Sequence, residues 1–284
     1  MNRYDEFHGQ PAVHLRTPAG DRATVLLHGA QVVSWIPAGG VERLYVSERS
    51  AYGDGSSVRG GVPVIFPQFN QRGPDFSLPK HGFVRTRPWQ VGEGDAGTRP
   101  EDATAVEFLL QDDVETQALW PHRFRLSLTV SLGSHRLDLA LRVANTGTGT
   151  FAFTAALHTY LRVPDISQAR VRGLQGVRYL DTVRNIGSVG AGADLAFEGE
   201  TDRIYYEVPR ALSLMVPEGG LEIGMEGFRD IVVWNPWSEL CARLSDMPDD
   251  DYRRMLCVEA AAIDKPVRVD AGSVWLGRQT LTAR

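Results

Sequence analysis

The feature that most constrains the fold is a strict alternation of apolar and polar residues near the middle of the chain. The segment RFRLSLTVSL places Phe124, Leu126, Leu128, Val130 and Leu132 at every second position. After Gly133 and Ser134, the segment LDLALRV repeats the pattern with Leu137, Leu139, Leu141 and Val143. Successive side chains of a β-strand point to opposite faces, so the two segments predict a β-hairpin with one apolar face and a turn at Gly133 and Ser134.

Further strand-like segments run through both halves of the chain, separated by clusters of Gly, Pro and Asp. They are Thr24–Leu27, Val32–Ile36, Ala105–Gln111, Phe151–Val163, Ala211–Val216, Glu222–Glu226, Ile231–Trp234 and Met255–Ala262. Segments with a helical period are scarce, and DDVETQALW is the candidate for a short helix. Many short strands with frequent turns predict an all-β, antiparallel sandwich or barrel. No linker-like break interrupts the pattern, so we expect one domain over residues 1–284.

Composition and motifs exclude several classes of function. The net charge of −5 over 284 residues makes a broad nucleic-acid-binding surface unexpected. An anionic small substrate stays open, because a local Arg cluster can outweigh a weak global field. Motifs for nucleoside triphosphates and the hydrolase nucleophile elbow (the P-loop and GxSxG) are absent.

The cysteines and the hydropathy pattern bear on the compartment. The two cysteines, Cys241 and Cys257, lie in apolar segments without metal-ligand spacing, which predicts buried free thiols in a reducing compartment. No apolar run approaches the length of a membrane span, and the first residues lack the apolar core of a signal peptide. We therefore expect a cytoplasmic protein with no membrane partner.

Two ionisable residues interrupt otherwise apolar strands. In FTAALHTYLRV, alternation places His158 on one face with Ala156, Tyr160 and Arg162, a composition that suits a wet cleft. A structural His bonded to a carbonyl is the alternative. In MLCVEAAA, Glu259 stands among apolar residues, where partial burial would raise its pKa towards that of a useful general base. A buried ion pair with an Arg is the alternative there.

The segment from Ser57 to Trp89 is the least strand-like part of the chain. It mixes glycines, prolines and aromatics with Arg59, His81 and Arg85, a composition typical of an irregular loop that carries binding groups. A solvated loop is the alternative reading. Asp202, before an apolar strand, carries no functional claim by itself.

Together these segments resemble the hexose-phosphate mutarotases, or glucose-6-phosphate 1-epimerases, of the galactose-mutarotase-like superfamily. The matching stretches occur in the family's order between Arg59 and Ala262: RGGVPVIFPQF, HGFVR, LHTYLRV, ETDRIY, VVWNP and DMPDDDYRRMLCVEAA. The set is specific, whereas any single piece would be weak. Two departures concern the loop NQRGPDFSLPK and Gln68, where the family commonly has Trp.

The resemblance implies a large antiparallel β-sandwich without a cofactor or metal. It implies interconversion of the α and β anomers of a hexose 6-phosphate, with glucose 6-phosphate as the first candidate. His158 would protonate the ring oxygen and Glu259 would remove the proton of the anomeric hydroxyl. The same resemblance assigns substrate binding to His81 and Asp202, and the phosphate side to Arg59 and Arg85.

Mutarotation needs one acid and one base, and no hydride moves. A Glu of raised pKa and a His that titrates near neutrality would form a matched pair. Three other functions stay open: a glycoside hydrolase that uses Asp202 and Glu259, a metal site of His81, His158 and Glu259, and a non-catalytic sugar-phosphate-binding protein. We expect a small-molecule substrate as the main partner of a monomer.

Overall fold

A computed structural model describes residues 2–53, 55–71, 77–92, 103–217 and 219–284, and these form three sheets. The first sheet is N-terminal and has four strands, β1 (Arg3–Phe7), β2 (Gln10–Arg16), β3 (Arg22–Leu26) and β4 (Val32–Ile36). They pair in chain order and antiparallel.

The remaining strands form two larger sheets. In chain order they are β5 (Val64–Ile65), β6 (Gln90–Val91), β7 (Thr104–Gln111), β8 (Phe124–Gly133), β9 (Arg136–Asn145), β10 (Phe151–Leu157), β11 (Tyr160–Arg162), β12 (Arg170–Arg172), β13 (Arg178–Asp181), β14 (Ile186–Val189), β15 (Asp194–Leu195), β16 (Thr201–Tyr205), β17 (Leu212–Met215), β18 (Leu221–Glu226), β19 (Asp230–Asn235), β20 (Met255–Val269) and β21 (Val274–Ala283).

One large sheet, the site sheet, has the order β14-β13-β16-β19-β20-β10-β5, with β11 also paired to β20. The other has the order β15-β12-β17-β18-β21-β9-β8-β7-β6. Every pairing between these strands is antiparallel. The predicted all-β, antiparallel sandwich is therefore confirmed.

Helical segments are short in the described residues. They are α1 (Val114–Leu119), α2 (Trp237–Cys241) and three 3-10 turns at Val84–Thr86, Ile166–Gln168 and Asp251–Arg254. The predicted helix in DDVETQALW is α1, which begins with a capping box between Asp113 and Thr116. No helix in the described part of the chain is long and apolar enough to cross a membrane.

The predicted hairpin is formed by β8 and β9, with its turn one residue later than expected. Gly133 pairs with Arg136, so the loop is Ser134 and His135. The apolar face of this hairpin packs into one core with residues of the site sheet, among them Phe153, Ala155, Val258 and Ala260. The other face of the site sheet carries a second, smaller apolar cluster that includes Ala156, Ile204, Val232 and Ala261. Both faces of this sheet are thus covered.

The segment predicted as one strand, Phe151–Val163, is two strands. The break falls at His158 and Thr159, where the His158 backbone N–H donates to the Pro63 carbonyl instead of to a neighbouring strand. The alternation of faces nevertheless continues across the break, because Leu157 and Leu161 both lie in the main core. The polar residue at the break is the one that the sequence singled out.

Candidate active site

The register of the site sheet brings distant residues onto one face. Asp202 on β16 pairs with Trp234 on β19, Trp234 pairs with Cys257 on β20, and Cys257 pairs with Tyr160 on β11. Directly opposed residues of antiparallel strands share a face. These four side chains therefore form a row across the sheet, and Glu259 follows two residues after Cys257 on the same face.

His158 lies beside Glu259. The distance from His158 Nε2 to Glu259 Oε1 is 3.4 Å, and the two side chains are 11% and 1% exposed. The His158 ring stacks on Tyr160, with centroids 4.8 Å apart and an interplanar angle of 11°. His158 Nδ1 and Glu259 Oε2 are buried without a hydrogen-bond partner among the described residues. Among the described residues, His158 and Glu259 contact each other. His158 is therefore not the structural, carbonyl-bonded histidine of the first alternative, and Glu259 is not the partner of an arginine, as the second alternative required.

The electrostatics of the pair differ from the prediction in one respect. Burial, and then the charge of Asp202, raise the pKa of Glu259 well above its ordinary value, as expected. Burial, and then the positive charges of Arg85 and Arg59, lower the pKa of His158 to about 3. The expectation of a His that titrates near neutrality is wrong for this site. Both shifts disfavour the charged forms, so these surroundings favour an uncharged pair with the proton on Glu259.

The loop from Ser57 to Trp89 is fixed by glycines at close approaches. Gly60 has φ +131°, and a Cβ there would lie 2.3 Å from the Tyr45 carbonyl oxygen. Gly82 has φ +69°, and its Cβ would lie 2.0 Å from the Phe66 carbonyl oxygen. Only glycine fits both requirements. These two contacts set the positions of their neighbours Arg59 and His81, so each motif joins a functional residue to the glycine that places it.

His81 is itself unusual, because its φ is +67°. Such a conformation is uncommon outside glycine and clusters at functional sites. Its Nδ1 accepts a hydrogen bond of 3.2 Å from the Asn70 backbone N–H. The ring proton of neutral His81 must then be on Nε2, where it can be donated. Burial and the neighbouring His158 lower the pKa of His81, which keeps it neutral.

Three cationic residues, Arg59, Arg85 and Lys80, lie near the His158–Glu259 pair. Arg59 donates through Nε to Asp246 at 3.0 Å, with Nη2 in ion-pair contact with the same carboxylate at 2.9 Å, and donates through Nη1 to the Tyr160 hydroxyl at 3.1 Å. Burial opposes its charge, but Tyr160 and Asp246 raise the pKa of Arg59. Arg85 donates to the Lys80 carbonyl at 3.1 Å, and its buried Nε has no partner among the described residues. Burial lowers the pKa of Arg85.

A cavity of about 210 Å³ joins these groups. Five of the six predicted site residues line it: Arg59, His81, His158, Asp202 and Glu259. Arg85 does not line it, although its charge acts on His158. Lys80, Thr182, Leu240 and Leu244 also line the cavity, and sequence reasoning did not select them. Their residue types carry no signal of their own. The loop places Lys80, Thr182 follows β13, and Leu240 and Leu244 come from α2 and the turn after it.

Several residues that the sequence emphasised lie elsewhere. Arg162, predicted for the cleft face, packs its guanidinium over the Tyr45 ring at 5.9 Å. Asn235 is buried and donates to the carbonyls of Tyr252 and Met255, so it is structural. Gln68 is buried and bonds Asn70 at 3.4 Å. Part of the variable loop, residues 72–76, lies outside the described residues.

The metal site predicted as an alternative, made of His81, His158 and Glu259, is not the set of residues that the fold brings together. Among the described residues, the His, Cys, Asp and Glu side chains close enough to hold an ion are His158, Cys257 and Glu259, without His81. A larger concavity of about 620 Å³ lies at the ends of β20 and β21. Its buried carboxylate, Asp230, accepts from the backbone N–H groups of Glu207, Ile263 and Asp264. Because that carboxylate is satisfied, the smaller cavity is the better candidate for acid/base chemistry.

Comparison with known proteins places the chain in a family. The model of the family described as "Aldose 1-epimerase" matches residues 11–282. The chain belongs to the aldose 1-epimerase family. A relative from Cenchrus ciliaris, printed as "Putative glucose-6-phosphate 1-epimerase", is 36% identical over 97% of this chain and 85% of its own length. One from Escherichia coli with the same printed name is 34% identical over 87% of this chain and 82% of its own length.

The fold agrees with that of solved members. A crystal structure from Salmonella typhimurium, titled as a "putative mutarotase", matches this aldose 1-epimerase with a TM-score of 0.89 and 28% identity, over 100% of this chain and 94% of the other. The large antiparallel sandwich that the resemblance implied is thus confirmed. Membership of the family supports mutarotation of an aldose as the activity, rather than glycoside hydrolysis.

Proposed function

We propose that this aldose 1-epimerase interconverts the α and β anomers of a hexose 6-phosphate, with glucose 6-phosphate as the first substrate to test. One observation carries the proposal: the His158–Glu259 pair and the cations Arg59 and Lys80 line the same small cavity, with Arg85 close by. A neutral aldose needs only the pair. The cluster of cations is complementary to an anionic substrate, and guanidinium groups can form bidentate hydrogen bonds with phosphate oxygens. The printed names of the relatives agree with this substrate.

The proposed reaction moves two protons and breaks one bond of the sugar ring. His158 donates a proton to the ring oxygen as the bond from C1 to O5 breaks, and Glu259 takes the proton of the anomeric hydroxyl. The aldehyde rotates about the bond from C1 to C2. The chain then closes on the other face of C1 with the two proton transfers reversed. Each positioned group contributes about 10²–10⁴-fold.

These roles require the proton to be on His158 when the ring opens, whereas the pKa shifts of the two groups favour its location on Glu259. The 3.4 Å between His158 Nε2 and Glu259 Oε1 allows direct transfer after a small approach. The charges of Arg85 and Arg59 oppose that transfer because they lower the pKa of His158. A phosphate dianion on these arginines would offset their charges. The phosphorylated substrate would thereby favour the reactive, charged form of the pair.

The rest of the cavity would hold the sugar. His81 Nε2–H is placed to donate to a sugar oxygen, and Asp202 to accept from hydroxyls. The Trp234 ring, edge-on to His158 at 6.3 Å, offers an apolar face. Phosphate would bind Arg85 and Lys80 together with Arg59, whose guanidinium is already fixed by Asp246 and Tyr160. Preorganised donors of this kind lower the cost of ordering on binding.

The test is the rate at which the purified protein equilibrates α-glucose 6-phosphate, followed by polarimetry or saturation-transfer NMR. We expect a clear acceleration that Glu259→Gln and His158→Asn each reduce by about 10²-fold or more. His135→Asn is the matched control, because His135 is exposed, has φ +54° and lies in the β8–β9 turn. Full rates in both site variants would refute the proposed acid and base. Tight binding of the sugar phosphate without acceleration would instead favour a non-catalytic binding protein.

Substrate class is tested by the Michaelis constants of glucose 6-phosphate and glucose. Arg59→Ala should raise KM for the phosphorylated sugar far more than for the free sugar. The control is Arg172→Ala, since Arg172 is an exposed residue of β12 paired with Asp194. An equal effect of Arg59→Ala on both sugars would remove Arg59 from phosphate recognition.

A further inference from the structure

A buried thiol lies beside the proposed acid/base pair and has no part in the proton transfers. Cys257 is 0% exposed and precedes Glu259 by two residues on the same face of β20. One ring nitrogen of His158, the Cys257 sulfur and one carboxylate oxygen of Glu259 all lie within 4.8 Å of one another. Three different ligand types thus converge on one point.

The ligand set selects one class of ion. Thiolate, imidazole and carboxylate together are the ligands of Zn²⁺ and of thiophilic ions such as Cd²⁺, with a fourth position open. Mg²⁺ and Ca²⁺ prefer oxygen ligands and would not use the thiol. Glu259 Oε2 and His158 Nδ1 are buried without hydrogen-bond partners in the described part of the chain. Such atoms are unusual in a folded protein and are consistent with a site that takes a ligand.

We propose that His158, Cys257 and Glu259 form a binding site for a single thiophilic divalent cation, Zn²⁺ or Cd²⁺, which disables the acid/base pair while it is bound. The ion would take one ligand atom from each residue and keep a water at the fourth position, towards the cavity. The thiol proton, and the proton that the carboxyl holds, leave to the solvent. Binding is independent of the proposed reaction, whereas the inhibition rests on the proposed function.

The geometry indicates reversible binding of moderate affinity. Bond lengths of about 2.0–2.3 Å place neighbouring ligand atoms of a tetrahedral site roughly 3.4–3.8 Å apart. The separations of up to 4.8 Å here are wider, so the side chains must close by about 1 Å around the ion. His158 also lacks the second hydrogen bond that usually orients a metal-ligating ring.

Binding is tested by titrating Cd²⁺ into the purified protein and recording the ultraviolet charge-transfer absorbance of the cadmium–thiolate bond. We expect the wild-type protein to bind one Cd²⁺ per chain. In Cys257→Ser the charge-transfer band should be lost, and the affinity for Cd²⁺ should be at least about tenfold weaker. Cys241→Ser is the matched control. Cys241 is the other buried free cysteine, and its thiol donates to the Pro248 carbonyl away from the cavity. An unchanged band in Cys257→Ser, or one lost equally in Cys241→Ser, would overturn the site.

Two further experiments distinguish loss of Cd²⁺ binding from loss of folding and from loss of activity. If Cys257→Ser does not fold, as judged by its thermal transition, His158→Asn must still weaken Cd²⁺ binding while keeping the thiolate band. Zn²⁺ should slow the mutarotation of glucose 6-phosphate by the wild-type protein, a chelator should restore it, and the Cys257→Ser rate should be much less sensitive. A cadmium band without any mutarotase activity would refute the proposed function and support the site. Mutarotase activity without a cadmium band would refute the site alone.

Discussion

The proposed chemistry depends on which of His158 and Glu259 holds a proton. The fold shifts the two pKa values in opposite directions, and both shifts favour uncharged groups. Desolvation is the first cause in each case, since both side chains are buried on the site sheet. The neighbouring charges then add to it: Asp202 disfavours the Glu259 carboxylate, and the arginines disfavour the His158 imidazolium. The proposed chemistry therefore requires a charge state of the pair that these pKa shifts disfavour.

The raised pKa of Glu259 predicts a pH-dependent gain in stability on Glu259→Gln. An unfolded Glu titrates at about 4.3. Between that pH and the raised folded pKa, the folded chain holds a proton that the unfolded chain has released. The free energy of unfolding of the wild type therefore falls as pH rises through this window. Glu259→Gln removes this loss, so the melting temperature of the variant should be higher than that of the wild type at pH 7–8. The difference should be about 2–4 °C for each kcal/mol gained in the free energy of unfolding.

The comparison is made by thermal melts of both proteins from pH 4 to pH 8. The difference should narrow towards pH 4, where the carboxyl is mostly protonated in both states. Glu226→Gln on β18 is the control, because that side chain is exposed and should show no such trend. A difference that stays constant with pH, or a wild type that is more stable at pH 8, contradicts the assigned shift.

Tyr160 should position two groups at once, through its ring and its hydroxyl. Tyr160→Phe keeps the ring against His158 and removes the acceptor of the Arg59 hydrogen bond. KM for glucose 6-phosphate should rise by about 2–10-fold, the range of one hydrogen bond, with kcat nearly unchanged. Tyr160→Leu removes the ring as well and should also lower kcat. Steady-state kinetics of the two variants decide, and equal kcat values in both would exclude a positioning role for the ring.

At the scale of elements, the loop between Ser57 and Trp89 depends on a few close backbone contacts. Gly82→Ala should lower the melting temperature and the mutarotation rate together, because the new Cβ would overlap the Phe66 carbonyl and displace His81. Gly272→Ala is a matched control: its φ of +74° is similar, but no atom lies within 4 Å of its Cβ position. Both variants carry the same backbone penalty. Equal losses in the two would show that the close approach is unimportant.

Alternation predicted the elements of this fold well wherever one face is apolar and the other polar. The β8–β9 hairpin is of this kind. The strand β4, which is apolar on both faces, also has the predicted bounds. The break at His158 was missed, because alternation continues through it and no glycine or proline marks it. The placement of Lys80 and Thr182 in the cavity was also beyond prediction, since register between distant strands is set by tertiary packing. The single domain stays a prediction.

At the scale of the whole molecule, two regions with different tasks meet at the cavity. The site sheet supplies the acid/base pair from β20 and the β10–β11 break, and the loop supplies Arg59, Lys80 and His81. The sequence identified both regions by residue type and by resemblance to a family. It could not show that the cations of one lower the pKa of the His158 of the other. In the proposed reaction, this coupling would link phosphate binding to catalysis.

The coupling predicts that an inorganic anion can act in place of the substrate's own phosphate. Inorganic phosphite, added with unphosphorylated glucose, would occupy Arg59 and Arg85 and offset the charges that keep His158 deprotonated. The mutarotation of glucose should then accelerate with saturation in phosphite, by roughly tenfold if about 1.4 kcal/mol of the barrier is removed. Polarimetry at constant ionic strength, with chloride as the reference anion, measures this.

The arginines should be required for the activation and not for the basal reaction of glucose. Arg59→Ala and Arg85→Ala should each weaken the response to phosphite, while Arg172→Ala, in its exposed pair with Asp194, should keep it. Glucose alone should react at least as fast in either site variant, because the substitution removes one of the positive charges that lower the pKa of His158. Phosphite that inhibits glucose turnover while glucose 6-phosphate remains a good substrate would mean that the cations only bind the phosphate. The two halves of the cavity would then act independently, and the low pKa of His158 would need to be overcome by the sugar alone.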